Sequence, residues 1–245
     1  DLEEDFYANV VPSKPPKPEL ISYNKTVAEI LNIDLKWIES DEGIECFTGS
    51  KILKSSNPLS MVYAGHQFGN WVPRLGDGRA VLLGEVMDLQ NERWDIQLKG
   101  SGVTPFSRNG DGKAALGPIL REYLLSHGIY NLGIPTTLAL TIATTGENIR
   151  RESLLPGAII SRVAKSHIRV GTFQYFASQG KYELVKKLSD YVIHRHFPKI
   201  ISNKHKYFIF FKSVLKKQAL LIAKWMSVGF IHGVMNTDNC SIIGD

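Results

Sequence analysis

From residue 93 the chain alternates strictly, with apolar Trp94, Ile96 and Leu98 set between polar Asp95, Gln97 and Lys99. A period of two is that of a strand with one face on a core and the other toward solvent. Residues 93–99 are therefore expected to form a strand that ends with Lys99 on its polar face, just before Gly100. Similar stretches predict strands over 79–87, near 136–143 and near 158–163, with a turn over 88–92. The period lengthens where Ile119, Leu120, Tyr123 and Leu124 recur on one face of a helix, with Pro118 near its first turn and Gly128 as the expected stop. Glu122 lies at the margin of that stripe. Beyond about 166 helices dominate, over 181–196 and 208–228. In the second of these Phe211, Val214, Leu215, Leu221, Ile222 and Trp225 fall at helical spacing and read as core, as do Tyr207, Phe208 and Phe210 at its start. Gly229 ends the helix and delivers the chain to His232.

The organisation reads in three parts. Residues 1–58 form an N-terminal extension: an extended arm with Pro12, Pro15, Pro16 and Pro18, then helical stretches around 26–33 and 35–44. Residues 59–165 read as a lobe of mainly antiparallel sheet with one packed helix, and 166–245 as the start of a helical lobe. No internal repeat interrupts this order.

The tract His232-Gly-Val-Met-Asn-Thr-Asp238-Asn239 sets an aspartate beside an asparagine just after the long helix. A protein kinase's catalytic loop runs His, any residue, Asp, then Asn seven positions after the His. Here Asn239 is in register, Val234 stands where the base belongs, and the nearby carboxylate is Asp238. Taken alone the tract is equally an Asx-rich turn closing a helix. Kinases also pair a strand lysine with a carboxylate on the next helix, which steadies an otherwise mobile ammonium against phosphates. Lys99 and Glu122 stand in that order; without the loop at 238–239, two surface charges would be the better reading. Together these elements predict an α+β fold of the two-lobed protein-kinase-like kind, an N-lobe of antiparallel sheet with one helix and a helical C-lobe, with chemistry that does not use the usual kinase base.

Gly76-Asp77-Gly78 and Gly110-Asp111-Gly112 are loops whose backbone N–H groups can approach phosphate oxygens closely, although a tight turn is the commoner meaning. Arg79, directly after the first, adds a guanidinium suited to phosphate. His66 and His232 lack a second His or Cys at ligand spacing, so structural hydrogen bonding is the simpler role for both. Spacing does not choose among Arg150, Arg151, Arg162 and Arg169.

Composition narrows the classes. A chain of 245 residues with 43% hydrophobic content can build one sizeable core or two lobes. No apolar run approaches the ~18 residues of a membrane span. Cys46 and Cys240 make neither a disulfide framework nor a zinc motif and point to a reducing compartment. The net charge of +5 includes a basic region, Arg195, Lys199, Lys204, Lys206, Lys212, Lys216 and Lys217, that reads as a solvated helix face and loop. Neither nucleic acid nor membrane is an expected partner.

The tracts Tyr63-Ala-Gly-His-Gln-Phe-Gly-Asn-Trp71, Leu75-Gly-Asp-Gly-Arg79, Gln97-Leu-Lys-Gly-Ser-Gly102, Ser107-Arg-Asn-Gly-Asp-Gly112, Ser161-Arg-Val-Ala, Ser166-His-Ile-Arg-Val-Gly171 and 232–239 occur in order. In them the chain resembles the selenoprotein O family, whose bacterial members are called YdiU, from about Asn57 to the last residue. The resemblance implies a kinase-like protein adenylyltransferase that binds ATP in a flipped orientation and moves AMP to Ser, Thr or Tyr hydroxyls of proteins, itself included. The alternatives are a kinase moving the γ-phosphate and a non-catalytic nucleotide-binding scaffold. On the family pattern Gly76, Gly78, Arg79, Lys99, Asp111, Gly112, Arg162 and Arg169 contact the nucleotide and Glu122 orients Lys99. Asp238 is the base, and Asn239 binds Mg²⁺ or Mn²⁺. The family's second metal ligand lies in an Asp-Tyr-Gly tract downstream of the loop, which this chain does not contain. The 245 residues are accordingly expected to be the N-terminal half of a longer protein and inactive alone. The implied location is the cytoplasm for a bacterial member and mitochondria for a eukaryotic one.

Overall fold

The computed structural model describes residues 2–245. In chain order its elements are β1 (Tyr7–Asn9), β2 (Glu19–Tyr23), α1 (Lys25–Ile30), α2 (Leu35–Ile38), α3 (Asp41–Thr48), β3 (Leu59–Met61), β4 (Gly65–Gln67) and β5 (Asn70–Val72). There follow β6 (Ala80–Met87), β7 (Arg93–Lys99), β8 (Ala114–Ala115), α4 (Leu116–Asn131), β9 (Leu138–Arg150), β10 (Leu154–Ala164), α5 (Val170–Ala177), α6 (Tyr182–His196) and α7 (Lys206–Ser227). An eight-stranded sheet runs β1-β3-β6-β7-β10-β9-β2 with β8 on β10, and β4 and β5 form a separate hairpin. The fold is mixed α and β around a large antiparallel sheet, compatible with a truncated kinase-like fold. The chain divides into a sheet unit (Ala8–Ser60 and Asp77–Lys165) and a helical unit (Asp1–Tyr7, Met61–Gly76 and Ser166–Asp245).

In the sheet unit, β6, β7, β10 and β9 are successive antiparallel neighbours. The β6–β7 turn closes on Asp88, whose Oδ1 accepts the N–H groups of Gln90 and Glu92 at 2.9 and 2.8 Å. This local side-chain-to-backbone bonding is what makes aspartate a turn former. One sheet face packs Ile96, Leu98, Leu140, Ile159 and Val163 against Val27, Ala28, Leu31, Ile38 and Phe47 of α1–α3. The other packs Ala139, Ile142, Ala158 and Ile160 against Ile119 of α4. With both faces covered, β7 departs from the half-exposed strand its alternation implies: Asp95 and Gln97 are buried along with Ile96 and Leu98.

Boundaries shift where local chemistry outweighs the pattern. The helical stretch expected over 35–44 is two helices, because the Ser40 side chain accepts the Gly43 N–H and caps a new start. α4 runs through Gly128 to Asn131, and Gly133 at φ +71° lies just beyond it. A mid-helix glycine costs only about 1 kcal/mol relative to alanine, which does not stop a packed helix. Leu124 faces solvent instead of the core.

In the helical unit Phe6 meets Phe176 at 4.6 Å between ring centroids, and Phe210 packs against Phe173 and Phe197. α7 buries only Phe210 and Leu221, while Phe208, Phe211, Leu215 and Ile222 are exposed. The stripe read as core is thus largely uncovered among the described residues, because few neighbouring elements reach this 22-residue helix. No helix of the described residues is long and apolar enough to cross a membrane.

Candidate active site

Lys99 ends β7, and the antiparallel register sets it opposite Ile160 of β10 and Ala80 of β6. Its Nζ donates to Glu122 Oε2 on α4, and Glu122 Oε1 lies 3.6 Å from Arg162 on β10. The strand lysine and helix carboxylate expected from their order are therefore in contact. Arg79 adds a further charge that bears on both. Burial lowers the Lys99 ammonium below its ordinary value; Arg162 and Arg79 push the same way against the opposing pull of Glu122. Burial alone would raise the Glu122 carboxyl, but Arg162 and Lys99, with Arg79 behind them, outweigh it and the net shift is downward. Both partners shift downward, Lys99 mainly through burial and Glu122 through the three cations that bear on it. Such a site has positive charge in excess and is matched to a polyphosphate anion.

The glycine loops are built as close-packed backbone. Gly76 is buried at φ +92°, a conformation other residues rarely adopt. A Cβ on Gly78 would lie 2.8 Å from the Phe106 carbonyl. The Asp77 carbonyl accepts the Thr104 hydroxyl at 2.8 Å, and the Gly78 carbonyl accepts the Ser107 hydroxyl. Gly112, at φ +67°, sits so near the Gly102 carbonyl that a Cβ would come within 1.9 Å of it. Asp111 beside it takes two hydrogen bonds from Arg151, at 2.8 and 3.0 Å, and the guanidinium holds its carboxyl below the usual range.

In the helical unit Asp238 lies in a 3₁₀ turn, Thr237–Asn239, and is buried. Its Oδ1 accepts the His66 N–H at 3.2 Å, and Asn236 donates to the His66 carbonyl at 3.0 Å. Gly65 leaves room for the carboxylate, since a Cβ there would lie 2.2 Å from Oδ1. Arg169 stacks its guanidinium 4.6 Å from the Tyr63 ring centroid and donates to the Asp238 carbonyl at 2.6 Å, bracing the turn from behind. Asn239 is exposed and donates to the Val234 carbonyl at 3.1 Å. His232 stacks on Trp225 and accepts the Val234 N–H through Nδ1, while the His66 ring meets Trp71 edge-on. Both histidines make these packing contacts.

Asn239 has one amide oxygen for a cation, but among the described residues no group of three His, Cys, Asp or Glu converges. The donors present do not by themselves make a Mg²⁺ or Mn²⁺ site, since such ions take about six oxygen ligands with several waters. Among side chains that the pattern did not single out, Gln97, Asp77 and Arg151 shape the sheet-unit loops and charge cluster, and Tyr63 shapes the helical-unit turn. The available signal for Gln97 was its place in the polar register of β7, two residues before Lys99.

Comparison with known proteins bears on these arrangements. The family model described as protein adenylyltransferase SelO matches residues 1–245. A protein nucleotidyltransferase YdiU of Rhodopseudomonas palustris strain BisB18 is 54% identical over 244 residues, covering 100% of this chain and 50% of that protein. Proteins of the same name from Rhizobium rhizogenes strain K84 and Bradyrhizobium diazoefficiens are 54% and 52% identical over the whole of this chain, which covers 48% and 50% of them. The chain spans about half the length of these relatives. With 245 of 245 residues matched, this chain belongs to the SelO family of protein adenylyltransferases.

Proposed function

We propose that the full-length protein transfers AMP from ATP to Ser, Thr or Tyr hydroxyls of proteins, itself among them, and releases pyrophosphate. The observation that carries this reading is the cluster of Lys99, Arg162 and Arg79 around Glu122, a net positive site for a nucleotide triphosphate. Phosphoryl and nucleotidyl transfer depend mainly on positioning and on neutralising charge. In this reading Lys99 and Arg162 contact phosphates and Glu122 keeps the ammonium on target. The loops at Gly76, Gly78 and Arg79 and at Asp111 and Gly112 supply backbone and side-chain contacts, and Arg169 adds a phosphate contact to its hold on the Asp238 turn.

Asp238 is the base of the proposal. The substrate oxygen attacks the α-phosphorus, the bond to the α,β-bridging oxygen breaks, pyrophosphate departs, and the hydroxyl proton passes to the Asp238 carboxylate. A positioned general base contributes about 10²- to 10⁴-fold. Val234, exposed at the position a kinase gives to its base, offers no proton acceptor. Asn239 would be one ligand of a Mg²⁺ or Mn²⁺ ion, which when bound would neutralise phosphate charge. A bacterial member would act in the cytoplasm.

The test uses the full-length protein with ATP labelled at the α or the γ phosphate. Adenylyl transfer leaves α label on protein and γ label in pyrophosphate. Protein-bound γ label that Asp238→Ala abolishes would replace this reading with a kinase. ATP binding without either label on protein would make the chain a scaffold.

A further inference from the structure

We propose that Gln97 is a positioning residue that sets the Arg162 guanidinium by linking it to Asp77 and hence to the glycine loop, an inference that rests on Arg162 acting on the nucleotide as above. Gln97 of β7 and Arg162 of β10 are direct cross-strand partners, so their side chains share the sheet face that carries Lys99. Gln97 is fully buried, and neither apolar face of the sheet uses it. Its Oε1 accepts from Arg162 Nη2, while its Nε2 donates to Asp77 Oδ2 at 3.2 Å.

The chemistry of the three groups leaves little freedom at the middle position. A guanidinium only donates and a carboxylate only accepts, so an uncharged link between them must accept at one end and donate at the other. An amide does both. A glutamate would turn a second carboxylate toward Asp77, a lysine would offer Arg162 no acceptor, and an apolar residue would leave both neighbours short of a partner in a buried place.

Each end of the link is itself anchored. On one side the Asp77 and Gly78 carbonyls are held by the hydroxyls of Thr104 and Ser107, and the Ser107 hydroxyl also receives the Thr104 N–H at 2.8 Å. On the other side Arg162 reaches Glu122, which holds Lys99. The path from pinned loop to Asp77, Gln97, Arg162, Glu122 and Lys99 is thus one continuous set of polar contacts within the sheet unit. It fixes a long, flexible arginine before any nucleotide arrives, which is the condition for charge stabilisation without reorganisation.

The experiment compares Gln97→Glu, Asp77→Asn and the double variant in the full-length protein, reading α-label transfer, kcat and KM for ATP, ATP affinity by calorimetry, and Tm. Gln97→Glu is nearly isosteric but loses the donor toward Asp77. It is expected to lower kcat about 10- to 100-fold, the scale of a catalytic group displaced by roughly 1 Å. The double variant reverses the polarity of the link, with the new amide at position 77 donating and the new carboxylate at position 97 accepting from both sides, and is expected to recover to within several-fold of wild type. Wild-type kcat and KM in Gln97→Glu at unchanged Tm would overturn the proposal, as would a folded double variant whose defect equals the product of the single defects. If Gln97→Glu does not fold, the double variant decides: near wild-type transfer supports the link, and a folded but impaired protein removes it. If the wild type moves no AMP label, the adenylyl-transfer reading fails separately. The link is then judged on ATP affinity, where a Gln97→Glu loss restored in the double variant supports it and an unchanged affinity overturns it.

Discussion

The two units hold their chemically important side chains by different means. In the sheet unit, side-chain charges position one another: Glu122 is shared between Lys99 and Arg162, and Gln97 ties the arginine back to Asp77. In the helical unit the backbone does the positioning. The Asp238 carboxylate accepts a main-chain N–H from His66, and Arg169 donates to the Asp238 carbonyl. Charge stabilisation tolerates charged neighbours, whereas proton transfer needs a carboxylate held at a fixed place, which main-chain contacts supply. The contrast fits the roles proposed for them.

The largest effects should separate activity from stability at these two places. Asp238→Asn keeps the acceptor for the His66 N–H and should lower transfer by about 10²- to 10⁴-fold with little change in Tm. Lys99→Ala should lower it by about 10²- to 10³-fold. Its stability cost should be small, since Glu122 keeps Arg162 as a partner and burial already disfavours the ammonium. Turnover near wild type in either variant, measured by α-label transfer at unchanged Tm, would erase that half of the contrast.

A smaller effect comes from the backbone that holds Asp238. Gly65→Ala would place a Cβ within 2.5 Å of the Asp238 Cβ and force the turn to move. Transfer should fall by about 10- to 100-fold through misplacement alone. An alanine variant with full activity and an unshifted melting curve would show that the turn does not depend on this close approach.

The smallest effect sharpens the sheet-unit side and depends on pH. Glu122 has its pKa lowered on folding, so its ionised form stabilises the native state at pH values above the unfolded pKa, ordinarily about 4.3. That contribution is lost as pH falls through the lower, folded value. Glu122→Gln should therefore cost about 1–3 kcal/mol at pH 7, less than the ~3–5 kcal/mol of breaking a fully buried pair, because the carboxylate is partly exposed. The gap to wild type in urea unfolding should narrow below about pH 4. A gap independent of pH would mean that the residue stabilises by packing and not by charge.

Much of this was legible in residue order. The β7 period located Lys99 at a strand end, the helix pattern located Glu122, and no apolar run was long enough for a membrane-crossing helix. The α7 stripe was misleading, because periodicity shows which residues share a helix face but not whether a neighbour covers it. The alternation in β7 was misleading in the opposite sense: a polar residue in the pattern reads as exposed, yet Gln97 is buried because its two polar ends find Arg162 and Asp77. Hydrogen-bond satisfaction across strands leaves no trace in spacing.

The sequence by itself determined the elements, the family motifs and the residue types available for charge stabilisation and proton transfer, since these depend on local pattern and on side-chain chemistry. Only the tertiary structure decided that Lys99, Glu122, Arg162, Gln97 and Asp77 form one connected path, because sheet register brings together residues up to 85 positions apart. It also decided that Arg169 serves the Asp238 carbonyl and that Gly65 leaves room for the carboxylate. Distances of a few ångströms between remote segments are set by packing and hydrogen bonding, which no local pattern encodes.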